Sequence, residues 1–178
     1  MHALRPAVPV LLTVLLVAAP AAAQEKTKSK TPAGPFAVEM LETCELFARG
    51  DVLASSGATE KGWDVTEAVT DSVFVKSFEG SRSIEGIGDA EIFVLVEEYP
   101  ELTLGYCRID INEPGGDVGV GDLDRLDHLW GDFEENEDGT YGAWNSRDEG
   151  ANYMLLSNQD EFSFGLQLTI LEPVEAGQ

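Results

Sequence analysis

The sequence predicts an α+β fold, a mostly antiparallel sheet of five or six strands packed by two or three helices. Three observations carry that expectation. Apolar residues at helical spacing open the chain after its leader, β-branched and aromatic runs take over from Ser72, and the two cysteines fall one on each kind of segment.

The N-terminus reads as an export signal. Residues 1–5 carry one fixed positive charge, Ala7 to Ala19 is almost unbroken apolar sequence, and Ala21-Ala22-Ala23 fits a small-residue cleavage site before Gln24. Pro6, Pro9 and Pro20 argue against the rival, an uncleaved spanning helix of about 20 residues, so no stable membrane insertion is expected after cleavage. Residues 1–23 are thus the expected signal peptide, 24–34 a lysine-bearing leader, 35–174 a single domain and 175–178 a tail. Taking 23 residues from 178 leaves 155, enough for one well-buried core. All 33 acidic residues but only 10 of the 11 basic ones remain, a net charge of −23 that excludes nucleic acid and anionic lipid as partners.

Pro35 to Arg49 forms the first expected helix, with Phe36, Met40, Cys44 and Phe47 on one stripe and Gly50 as a left-handed stop. Asp51 caps a short second helix toward Lys61, ended by Gly62, with Trp63 packed beneath the turn. Strands follow at Ser72–Glu79, Glu91–Tyr99 and Leu102–Ile111, the last two joined at Pro100 into a hairpin, while 81–89 reads as a loop or twisted edge. Asp122 opens a third expected helix whose stripe is Leu123, Leu126, Leu129, Trp130 and Phe133. Beyond an acidic loop at 134–139, strands are expected near Tyr141–Asn145, Ala151–Ser157 and Phe162–Leu171, the last alternating Phe, Phe, Leu, Leu, Ile with small or polar residues.

Cys44 and Cys107 are expected to bond. An exported chain meets an oxidising compartment, so a disulfide is favoured over two buried thiols. It would pin a helix to a strand across 63 positions and stabilise by at most about 4 kcal/mol.

Two segments echo each other, Glu101-Leu-Thr-Leu-Gly105 and Glu161-Phe-Ser-Phe-Gly165, which raises an internal helix-plus-hairpin duplication. Leu102 and Leu104 are out of phase with Cys107, Ile109 and Ile111. Either a β-bulge at Gly105-Tyr106 gathers all five on one face, or the strand is covered on both faces without a bulge.

Candidate chemistry is sparse. His128, flanked by Asp124 and Asp132 at i−4 and i+4, raises a hydrolase in which a carboxylate orients the imidazole, but the sequence offers no Gly-x-Ser-x-Gly elbow, no His-Glu-x-x-His and no free thiol. Asp122, Asp124 and Asp127 are accounted for as first-turn carboxylates favouring a helix N-terminus. Glu134, Asn136, Asp138 and Gly139 match offsets 1, 3, 5 and 6 of a calcium loop, yet Asn145 stands where a bidentate Glu belongs, so only weak divalent-cation binding is suggested. No cofactor is implied.

A helix from Phe36 to Cys44, a Gly62-Trp63 turn, a strand cysteine at Cys107 and a closing hairpin with Tyr153-Met-Leu-Leu-Ser157 together resemble a class of small exported bacterial proteins of unknown function. The resemblance implies no activity and lends no site residues. The leading functional expectation is therefore an exported, periplasmic or secreted, non-catalytic domain that binds an envelope protein or small ligand, or has a structural role there. A sheet surface bearing Trp63, Trp144 and Tyr106 is the expected contact.

Overall fold

The computed structural model describes residues 35–51, 53–146 and 152–174. The expected signal peptide and its cleavage point, the leader and the 175–178 tail lie outside them. Helix α1 spans Pro35–Ala48 and α2 Ala54–Glu60. Strands β1 (Asp64–Ala68), β2 (Val75–Ile84), β3 (Gly88–Glu98) and β4 (Leu102–Asn112) form one antiparallel meander. After a single-turn helix α3 (Val120–Leu123), β5 (Leu129–Asn136), β6 (Gly139–Ser146), β7 (Asn152–Gln159) and β8 (Ser163–Pro173) form a second. The last strands of the two meanders pair, giving one eight-stranded sheet in the order β1-β2-β3-β4-β8-β7-β6-β5.

The expected α+β balance of five or six strands is corrected by this architecture: among the described residues strand accounts for 54% and helix for 18%, so the fold is mostly β with three small helices. Two segments make the difference. The polar edge strand β1 lacks the apolar alternation that marks a strand. Residues 129–133, expected to continue a third helix, and 134–136, expected in the acidic loop, are β5 instead, and α3 stops at Leu123. Residues 81–89 extend β2 and β3 around a turn at Glu85–Ile87, where Gly86 has φ +78°.

All three helices lie on one face, α1 across β3, β4 and β8, α2 against β1, and α3 against β6 and β7. Phe36, Met40, Leu41, Cys44 and Phe47 of α1 are buried, as the helical spacing requires. The helix stops at Gly50, whose φ of +72° turns the Asp51 N–H back to the Leu46 carbonyl at 3.0 Å, while the Gly50 N–H reaches that of Phe47 at 2.8 Å. Trp63 is buried beneath α2. Beneath the helices, Ile92, Val94, Ile109, Ile111, Leu155, Leu166, Leu168 and Ile170 complete a continuous core.

Strand β4 pairs without interruption with β3 and β8 from Leu102 or Thr103 onward, so there is no bulge. Gly105 faces α1, and a Cβ built there would lie 1.8 Å from the Ala48 carbonyl oxygen. The glycine is needed for close approach of the helix, and Leu102 and Leu104 go to the opposite face. The same register removes the basis for the helix-plus-hairpin duplication. Odd-numbered residues of β4 and even-numbered residues of β8 share the helix-covered face, so echoing segments 60 positions apart are out of phase: Phe164 points into the core and Leu104 away from it.

Candidate functional site: the outer face of the sheet

Cys44 and Cys107 form a disulfide, with Cα atoms 5.3 Å apart and both residues fully buried between α1 and β4. The bond ties α1 to β4 and leaves no thiol free.

His128 does not sit on a helix. It occupies the turn before β5, with its side chain 52% exposed and Nε2 4.0 Å from Oε1 of Glu45 on α1. The same Glu45 oxygen accepts a 2.8 Å hydrogen bond from the Tyr153 hydroxyl. Of the two carboxylates expected to flank the imidazole, Asp124 accepts the Trp144 indole N–H at 3.2 Å, and Asp132 lies on β5 facing away from the helices. The i±4 relation that suggested a base therefore dissolves with the helix that created it.

Glu134, Asn136 and Asp138 fall on the β5–β6 hairpin, where Asn136 pairs with Gly139 across a two-residue turn. The Asn136 side chain donates to Glu134 and accepts from the Asp138 N–H, so these groups bond one another locally. All three are exposed, and no group of three acidic, histidine or cysteine side chains is placed to hold a metal ion among the described residues. The neighbouring β7–β8 turn is tied in the same way. Asp160 Oδ1 accepts the Phe162 and Ser163 N–H groups at 2.8 and 2.7 Å, which hold its pKa below the ordinary aspartate value.

The remaining feature is the face without helices. Because paired residues share a face, the register gives its rows across the sheet. One runs Phe93, Arg108, Gln167, Leu156, Ala143, Asp132, and the next Leu95, Tyr106, Thr169, Met154, Asn145, Trp130. Phe93, Met154, Leu156 and Trp130 are 38–48% exposed, and Phe93 meets Tyr106 edge-on at 6.2 Å. Trp63 and Trp144, expected at a surface, belong to the core instead. Trp144 is fully buried, stacked on Phe133 and lying over Gly142, so Tyr106 is the one residue of that trio on the outer face. Trp130 is hidden from sequence reasoning because the helical period places it in a core stripe.

Two shallow depressions flank these rows. One is lined by Asp64, Glu79, Glu91 and Asp110 beside Phe93, the other by Asp132 and Glu134 beside Tyr141 and Leu156. Among the described residues five of the six basic side chains sit on the helix-bearing side or the sheet ends, paired as Arg49–Glu172, Lys61–Glu42, Lys76–Glu98, Arg82–Glu39 and Arg125–Asp122. The sixth, Arg108, lies on the outer face and is bound to Asp110 at 2.7 Å. No helix among the described residues is long and apolar enough to cross a membrane. No protein-family model matches the chain, and neither a curated protein nor a solved structure matches it.

Proposed function

We propose that this chain is an exported, non-catalytic domain that works in the periplasm or outside the cell by binding a protein through the outer face of its sheet. One observation supports the reading above the others. Met154, Leu156 and Trp130, and beyond Arg108 and Gln167 also Phe93, are exposed on a sheet whose opposite face already supplies the core. A run of large apolar side chains rimmed by charge marks a contact surface on soluble proteins. The buried disulfide supports the oxidising address.

The test is a pull-down from the extracytoplasmic extract of the native host with wild-type protein and with the M154S/L156S variant. A species retained by the first and lost from the second is expected. Equal retention by both, with the variant's circular dichroism unchanged, would remove the outer face from consideration. The address is checked separately, since mass spectrometry of the exported protein should give an N-terminus at Gln24 and a mass two hydrogens below the reduced form. Reduced sulfurs, or an intact N-terminus, would contradict it.

A further inference from the structure

We infer that the partner is a basic amphipathic helix laid across the strands of the outer face, an inference that rests on the contact surface proposed above. The face combines two things that one occupant must satisfy. It carries two apolar groups, Phe93, Leu95 and Tyr106 on β3 and β4 and Met154, Leu156 and Trp130 on β7 and β5, on either side of Arg108, Gln167 and Thr169. Both flanks are acidic: Glu79, Glu91 and Asp110 gather beside Phe93, and Asp132 and Glu134 beside Tyr141. Arg108 is the only basic side chain on this face among the described residues, and Asp110 already neutralises it.

Charge selects among occupants. A second copy would set these carboxylates against their counterparts, anionic lipid and nucleic acid would be repelled, and a simple cation would leave the exposed apolar side chains uncovered. A polypeptide with aliphatic residues on one side and lysine or arginine at its borders meets both demands. Its cations would reach the carboxylates of the two depressions.

Length follows from the sheet. The rows cross six strands from β3 to β5, five spacings or about 24 Å, which a helix of about 16 residues spans. Helix-in-groove recognition of this kind is read by apolar anchors three and four residues apart.

The test is calorimetric titration of the exported chain with a lysine–leucine peptide of about 16 residues at amphipathic helical spacing. Saturable one-to-one binding is expected, weakened at least tenfold by M154S/L156S and by E91Q/D132N. The E60Q/D127N variant, which removes two exposed carboxylates from the helix-bearing side, should bind like wild type. If a glutamate–leucine peptide binds as tightly, with the same sensitivity to Met154 and Leu156, the basic partner is wrong while the contact surface stands. If binding of the lysine–leucine peptide is indifferent to M154S/L156S, or falls equally with E60Q/D127N, attraction to a generally acidic protein is the whole effect and the inference falls. Concentration-dependent dimerisation abolished by M154S/L156S would assign the face to a second copy and overturn it as well.

Discussion

Gly105 sets how closely α1 approaches the sheet. Its missing Cβ is the space in which the Ala48 carbonyl sits, and backbone cannot move aside as the end of a flexible side chain can. A G105A variant should therefore lose about 2–3 kcal/mol of stability, the scale of an overpacked core, read as a lower denaturant midpoint with an unchanged m-value. A wild-type midpoint would show that α1 rises freely. At the β7–β8 turn, Asp160 accepts the Phe162 and Ser163 amides, and its folded pKa is held below the ordinary value chiefly by the Phe162 N–H. With the folded value depressed, the contribution is present above the unfolded pKa and is lost as pH falls through the folded one. Protection of the Phe162 and Ser163 amides, measured against their intrinsic exchange rates, should accordingly fall in acid in the wild type. It should stay pH-independent in D160N, whose amide oxygen still accepts both bonds.

At the scale of elements, what the sequence shows depends on whether one period excludes the other. Helix α1 was legible because Phe36, Met40, Cys44 and Phe47 fit no strand alternation, and β8 because its alternation fits no helix. Leu129 and Phe133 are four apart, a spacing that shares a face in either period, so the stretch read as helix until pairing with β6 decided it. Gly131 was the available signal. It costs a helix interior about 1 kcal/mol, and here a Cβ would lie 1.9 Å from the Ala143 carbonyl oxygen. The outer face was illegible for a related reason: its rows join residues from strands distant in the chain, and no local window contains them. The disulfide was legible from the two cysteines and the expected export signal alone. It joins α1 to β4, yet α1 is also held by the Phe36–Phe164 and Phe47–Phe78 contacts and by the Tyr153–Glu45 hydrogen bond. C44A/C107A is thus expected to fold, with far-UV circular dichroism retained and stability lower by about 2–4 kcal/mol. Complete loss of β-sheet signal in this variant would show that the covalent tie, and not side-chain burial, places the helix.

For the whole molecule the governing quantity is charge. A chain with 33 acidic and 11 basic residues repels itself in the compact state, and the basic side chains of the described residues are already bound to carboxylates, so the excess has nothing within the fold to neutralise it. Salt shortens the reach of that repulsion to about 8 Å at physiological strength, whereas exposed ion pairs of this kind contribute only about 0–1 kcal/mol each and lose little. The thermal midpoint should consequently rise by several degrees between about 0.02 M and about 0.5 M sodium chloride, a range over which the screening length falls severalfold. Binding of a basic helix to the outer face has the opposite sign, because there the same screening weakens attraction between unlike charges. Measured on one protein over one salt series, stability and affinity should move in opposite directions. If the midpoint fell with salt, the surface ion pairs would outweigh self-repulsion. If affinity for the lysine–leucine peptide held constant, the carboxylates around Phe93 and Tyr141 would have no part in recognition, and contact at that face would be apolar alone.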